Sequence, residues 1–139
     1  MFKRILILSV LLLGIVNVAC AGEIVSFMSN ANYTDTKYVC VELASGAGKV
    51  QITDAAGDSV VGVMQNSPTN TGSAVAVQIS GITKVQANAA ITKGAEVVCC
   101  ANGQVRAWAT SGEMVIGQAL EAATAQGQII KIKLGQYWK

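Results

Sequence analysis

The stretch AEVVCCANGQVRAWA, residues 95–109, predicts a β-hairpin and with it the fold class. Two short, mostly apolar runs flank the dipeptide Asn102-Gly103. Asn-Gly is a preferred pair for two-residue hairpin turns, because both turn positions need a positive φ. We therefore expect residues 95–100 and 104–109 to form neighbouring antiparallel strands.

Short alternating segments separated by turn residues extend from this hairpin in both directions. In QIIKIKL, residues 128–134, apolar side chains alternate with Lys131 and Lys133, which predicts one buried and one exposed face. Repeated alternation with frequent turns is typical of a β-barrel or β-sandwich. We predict an all-β protein with a single compact β-barrel or β-sandwich domain. Seven alternating residues are predicted to be buried: Val39, Val41, Val75, Val77, Ile79, Ile130 and Ile132.

Three further segments carry local predictions. KYVCVEL, residues 37–43, places Leu43 on the face of the buried valines and Cys40 on the opposite face. Gly81, between two strand segments, predicts a bend or bulge. QALEAATAQ, residues 118–126, is expected to be a loop or short crossover, because strands flank it.

The N-terminal segment has the parts of a secretory signal. Lys3 and Arg4 form a basic head, residues 5–16 are mostly apolar, and Ala19 and Ala21 are small residues at the positions a leader peptidase reads. The apolar run is shorter than the roughly 20 residues that a membrane-spanning helix needs. Cleavage after Ala21 would leave 118 residues, enough for one domain with one core.

Two alternatives compete with this cleavage. Cys20 is a candidate lipidation site, although Asn17 stands where lipoprotein signals usually have Leu. Met28 is a candidate true start, with the preceding residues a gene-start overrun. The predicted organisation is a signal-like leader or overrun at 1–27, a polar N-terminal arm at 28–37 and an all-β domain at 38–139.

Composition argues against nucleic acid as a partner and for an assembly component. Charged residues make up only 13% of the chain, and its basic residues, without Lys3 and Arg4, equal its acidic ones at eight each. No basic face for nucleic acid is expected from this balance. A domain so poor in charge stays soluble only if its apolar residues are covered by a core or by partner subunits.

The cysteines and the acidic residues indicate no catalytic centre and no metal site. Cys40, Cys99 and Cys100 are interpreted as small apolar core residues, with Cys40 able to pair with one of the others in an oxidising compartment. The chain has no histidine, and Lys93 is the nearest candidate base for a cysteine nucleophile. The acidic residues are scattered without an obvious pair: Asp35, Glu42, Asp54, Asp58, Glu96, Glu113 and Glu121.

An ordered series of turn and strand motifs over residues 30–134 resembles the small head decoration proteins of tailed bacteriophages, also described as capsid fibre or cement proteins. Four motifs carry the resemblance: GVMQNSP at 62–68, VQISGITKV at 77–85, ITKG at 91–94 and GQALEA at 117–122. The resemblance implies a β-tulip-like fold and a non-enzymatic protein without cofactor or small-molecule substrate. It further implies a homotrimer on the outer capsid surface that binds between subunits of the major capsid protein.

The leader departs from this family, whose members are made in the cytoplasm and begin just before the first strand. If the leader is real, contact with the membrane is transient, and the alternative function is a secreted or lipid-anchored surface or periplasmic β-domain. Such a domain would bind a partner or self-assemble. A periplasmic enzyme of unknown type is a third hypothesis.

Two predictions concern the ends of the domain. The polar arm is expected to order against the coat lattice or to be a frayed terminus. Trp138 is expected to pack against the domain's own barrel or against a neighbouring subunit, because burial of a Trp is strongly stabilising.

Overall fold

The computed structural model describes residues 22–139, and this part of the chain consists of strands, turns and loops without a helix. The all-β prediction is confirmed. Within residues 22–139, no helix is present that could cross a membrane. The ten strands are β1 (Ile24–Ser29), β2 (Cys40–Leu43), β3 (Lys49–Ile52), β4 (Gly62–Met64), β5 (Ala74–Gln78), β6 (Ile82–Gln86), β7 (Glu96–Cys99), β8 (Val105–Ala107), β9 (Met114–Ala119) and β10 (Ile129–Trp138).

The first five strands form a closed barrel in the order β1-β3-β2-β4-β5. Strand β1 closes it, because it pairs in parallel with β3 and antiparallel with β5. Phe27 of β1 lies opposite Val75 of β5 and packs against the barrel core. That core consists of Val39, Val41, Val50, Met64, Val75 and Val77.

The last five strands form a second, antiparallel sheet in the order β6-β10-β9-β7-β8. Its edges approach each other, because Ala87, just after β6, makes a parallel bridge to Val105 of β8. The larger of the two cores lies inside this sheet and includes Val85, Val97, Val105, Ile116, Ile130 and Ile132. Gly81, with a φ of 81°, is the turn at which the chain passes from the barrel to this sheet, so the predicted bend is confirmed.

The Asn102-Gly103 hairpin is confirmed and has a second role at the junction of the two sheets. Both residues have positive φ, 80° and 73°, as this turn requires. The Gly103 carbonyl accepts a hydrogen bond of 2.7 Å from the amide of Cys40 in β2. A Cβ at Gly103 would lie 2.8 Å from the Cβ of Val39, so the turn contacts the barrel too closely for a side chain.

Six of the seven predicted core residues are buried, and Ile79 is half-buried against the barrel core. The prediction for β2 is wrong at its end, because Leu43 is 67% exposed while Cys40 is fully buried. The reason is that β2 lies between the two cores. Val41 faces the barrel core, and Cys40 belongs to the core of the second sheet. All three cysteines of the described residues are buried free thiols, as expected for core residues.

Strand β1 spans residues 24–29 and so crosses the predicted boundary between the leader, 1–27, and the polar arm, 28–37. Residues 24–27 therefore lie in the barrel, and the predicted division of the chain into leader, arm and domain stays a prediction. The segment predicted as a polar arm continues from β1 and is bonded to the domain, since the Tyr33 amide donates to the Pro68 carbonyl at 2.8 Å. Ala19, Cys20 and Ala21 lie outside the described residues.

Candidate interaction surfaces

Three carboxylates meet at one end of the barrel. Glu42 lies near the end of β2, and Asp54 and Asp58 lie in the loop after β3. One carboxylate oxygen from each lies within 4.8 Å of the others. We call these three residues the acidic cluster. The expectation that the acidic residues form no pair is wrong here, because the β2–β3 hairpin folds residues far apart in sequence onto one surface.

The acidic cluster is not neutralised by a basic side chain within residues 22–139, where none of the ion pairs involves it. Gln51 donates a hydrogen bond of 2.8 Å to Glu42. Burial raises the pKa of Glu42, and the neighbouring charges of Asp58 and Asp54 raise it further. Oxygen ligands of this kind suit hard cations, but exposed acidic groups commonly lie together without one, and the cluster alone assigns no metal.

Three lysines lie side by side on the outer face of the β6–β10 strand pair. Lys84 of β6 is directly opposite Lys131 of β10, and Lys133 is two positions further along the same strand face. All three side chains are exposed. Like charges directly opposite each other in an antiparallel pair destabilise the sheet. This face therefore carries a repulsion that an anionic partner would relieve.

The lysine row continues across Tyr38 to a fourth lysine. The Nζ atoms of Lys37 and Lys84 lie 5.3 and 5.8 Å from the centre of the Tyr38 ring, within the range of a cation–π contact. Tyr38 has a φ of 60°, an uncommon conformation for a bulky residue. We call Lys37, Lys84, Lys131 and Lys133 the lysine face.

A depression lies beside Tyr38 on the lysine face. Its volume is about 280 Å³, and its lining consists of Tyr38, Gln65, Gln78, Ile82, Thr83, Lys84 and Lys131. The one ion pair that the lysine face makes within residues 22–139 joins Lys131 to Glu121 at 3.4 Å. The Lys131 amide also donates to Glu121, and this bond and the lysine charges lower the pKa of that carboxyl. Four lysines thus face a single glutamate.

The end of β10 pairs with β9 and carries exposed aromatic side chains. Trp138 pairs with Met114 of β9, yet its side chain is 63% exposed. The prediction that Trp138 packs against its own barrel is therefore wrong, and packing against a neighbouring subunit stays a prediction. The Tyr137 hydroxyl and the Lys139 ammonium both donate to Glu96, and these bonds lower the pKa of that carboxyl.

The buried thiols are not arranged for nucleophilic chemistry. Burial raises the pKa of Cys40 well above its usual value, and burial is also the largest cause of the raised pKa values of Cys99 and Cys100. The thiolate is the reactive form of cysteine, and raised pKa values disfavour this form at neutral pH. Cys40 and Cys99 belong to the larger core, which indicates a packing role.

Comparisons with known proteins point to one family. The sequence profile of a family described as phage cement protein matches residues 39–134, which include nine of the ten strands in whole or in part. Among solved structures, the chain is similar to the N base of the head fiber protein gp8.5 of bacteriophage phi29, with a TM-score of 0.62 and 18% identity. The match covers 81% of this chain and 95% of that one, and shows that the fold is shared. No match was found among curated proteins.

Proposed function

Because the chain belongs to the phage cement protein family, we propose that it decorates a tailed-phage capsid from the outside and stabilises it by bridging neighbouring coat subunits. The observation that carries this proposal is the family match over residues 39–134, which extends from the start of β2 into β10. The matched region contains the second sheet except for the last residues of β10, and the barrel except for β1. Family membership supports a structural role in the phage head and a location in the virion.

The proposed mechanism is avidity. A homotrimer presents three copies of each docking surface, and simultaneous contacts raise the effective concentration of each one. Weak contacts to three coat subunits then add up to firm attachment. Large apolar side chains left exposed on the single chain fit this role, because contacts with other subunits would bury them. They are Ile24, Met28, Leu43, Ile82, Ile129, Tyr137 and Trp138.

We also propose that the protein has no enzymatic activity and needs no cofactor. The chain has no histidine, and its three described thiols are buried with raised pKa values. The acidic cluster lacks a neighbouring base or nucleophile among the ion pairs and hydrogen bonds of residues 22–139.

The working chain is proposed to begin upstream of Met28. Residues 24–27 form most of β1, the strand that closes the barrel. Cleavage after Ala21 leaves this strand whole, whereas a start at Met28 removes four of its six residues. This argues against an overrun that ends at residue 27, while Ala19 and Ala21 stay the predicted recognition positions of a leader and Cys20 the alternative lipidated residue.

A leader supports a second candidate function, an exported or lipid-anchored β-domain that binds a partner or self-assembles. Mass spectrometry of the natural protein separates these N-termini, and a mass that corresponds to a chain starting at Met28 or Ser29 would contradict a start upstream. A measured mass that corresponds to a chain starting at Gly22, or at a lipidated Cys20, supports export. A measured mass that corresponds to a chain starting at Met1 supports assembly in the cytoplasm, with the N-terminal segment retained.

The test of capsid decoration uses phage heads that lack the protein. Purified protein is added, and bound copies are counted by electron microscopy at local symmetry points. We expect saturable binding on the outer surface and heads that survive heating or osmotic shock longer than undecorated ones. Binding to isolated coat monomers but not to assembled heads would contradict bridging, and absence of binding to either would contradict the proposed function.

A further inference from the structure

We propose that the lysine face of one copy binds the acidic cluster of a second copy, so that the protein associates head to tail. This inference deepens the proposed function, because it names the surfaces that join the copies of a decoration protein. Its starting point is the outer face of β6 and β10, which no element of residues 22–139 covers.

The first argument is the repulsion on that face, which a single carboxylate, Glu121, offsets only in part. Lys84 and Lys131 lie directly opposite each other, and Lys133 follows two positions along. Within residues 22–139 their one ion-pair partner is Glu121, which meets only Lys131. Such an arrangement is unfavourable in the single chain and becomes favourable when carboxylates approach it.

The second argument is the shape and backbone of the surface. The lining of the depression beside Tyr38 includes Lys84 and Lys131 together with the polar residues Gln65 and Thr83. Its volume of about 280 Å³ suits a few side chains of a protein partner rather than a whole domain. The left-handed conformation of Tyr38 is a strain of the kind that accumulates at binding sites.

The third argument is that the chain itself carries the complementary surface. The acidic cluster has three carboxylates without a basic partner in the described residues, and the lysine face has four lysines against one glutamate. Neither surface neutralises the other within one chain. The acidic cluster lies near the end of β2, whereas Lys37 and Tyr38 precede that strand, so the two surfaces are set apart along it.

Apolar side chains accompany both charged surfaces. Leu43, 67% exposed, adjoins Glu42, and Ile82 and Ile129, 51% and 46% exposed, lie among the lysines. Contact between the two surfaces would bury these aliphatic groups while it pairs the charges. Because the surfaces differ, the contact is heterologous, and repetition of it closes a ring when the rotation between copies permits.

Sedimentation velocity of the full chain tests the inference. Association is expected to weaken about tenfold or more when the salt concentration rises from 50 to 500 mM, since exposed charge pairs are screened. The double variant Lys84→Glu with Lys131→Glu is expected to lose association at least about tenfold, and Asp54→Lys with Asp58→Lys is expected to do the same.

A charge swap gives the decisive arm. The chain carrying all four substitutions is expected to recover self-association, because the introduced glutamates of one copy again meet the introduced lysines of the next. Lys93→Glu is the matched control, since Lys93 is an exposed loop lysine outside the lysine face, and it should leave association unchanged. Circular dichroism and melting curves must show that each variant keeps the wild-type fold.

The proposal is overturned if the folded wild-type chain stays monomeric at all concentrations, if both reversals leave association intact, or if the four-substitution chain does not recover. Binding to phage heads is measured in parallel. If the variant with Lys84→Glu and Lys131→Glu loses head binding but still self-associates, the lysine face contacts coat protein. This result would overturn the present inference alone. If the wild-type chain self-associates but does not bind heads, the proposed function alone is contradicted.

Discussion

The barrel and the second sheet each consist of five strands, yet they differ in how their faces are covered. In the second sheet, β10 has one buried and one exposed face over residues 129–134, and its side chains alternate accordingly. In the barrel, β2 has both Cys40 and Val41 fully buried, because a core lies on each side of it. Alternation of apolar and polar residues therefore indicates a strand with one solvent-exposed face. A strand that lies between two cores is buried on both faces and does not show this alternation.

The barrel also depends on a strand from the N-terminal segment, whereas the second sheet is continuous in sequence. Strand β1 joins β3 and β5, and without it the two have no partner on that side. The second sheet begins after Gly81 and contains all of its own strands. We therefore expect changes to the barrel to be more damaging when they touch β1.

The largest effect is expected from removing β1. A chain that begins at Met28 loses residues 24–27, including Phe27 of the barrel core, and should lose at least about 4 kcal/mol of unfolding free energy. Chemical denaturation of chains beginning at Gly22 and at Met28 measures the difference. Equal denaturation midpoints for the two would contradict the role assigned to β1.

Gly103→Ala tests the contact between the hairpin and the barrel. The new Cβ would lie 2.8 Å from Val39 and 2.9 Å from the Cys40 carbonyl, and the φ of 73° disfavours any side chain. We expect a loss of about 3 kcal/mol in unfolding free energy. Gly127→Ala is the matched control, because its φ is 81° and nothing lies within 4 Å, so it should cost only about 1 kcal/mol. Similar losses for both would mean that the hairpin contact contributes nothing.

A polar atom between the two cores should have a smaller effect. Cys40→Ser places a hydroxyl at a fully buried position of the larger core and should cost about 2 kcal/mol. Cys40→Ala removes the sulfur without adding a polar group and should cost less. Thermal melts compare the stabilities of the two variants. A serine variant as stable as the alanine variant would contradict an apolar environment around the Cys40 side chain.

The smallest effect is expected from pH, with opposite signs in the two regions. The pKa of Glu42 in the barrel is raised, so its protonation favours the folded state and stability from this group increases as pH falls through the folded pKa. The pKa of Glu96 in the second sheet is lowered, so its contribution is present above the unfolded pKa and is lost as pH falls through the folded pKa. Carboxyl titration by NMR should show the two shifts in opposite directions from the ordinary value of 4.5. Shifts of the same sign would contradict the comparison.

The candidate surfaces were harder to predict than the strands. The lysine alternation in β10 is visible in the sequence, but its pairing with Lys84 depends on the register between β6 and β10. The acidic cluster brings together residues that lie up to 16 positions apart, Glu42 and Asp58, and it forms only through the return of the β2–β3 hairpin and its loop. Both surfaces are formed by residues that are distant in sequence, and their positions could therefore not be predicted from local sequence patterns.

The sequence by itself determined the all-β class, the Asn102-Gly103 turn and most of the core, because turn chemistry and period-two burial are local properties of the chain. Only the tertiary structure decided that residues 24–27 belong to the barrel, that Cys40 faces a second core, and that like charges gather on two separate surfaces. These outcomes depend on which strands pair and in which register. Pairing is set by contacts between distant segments, and no local pattern in the chain records them.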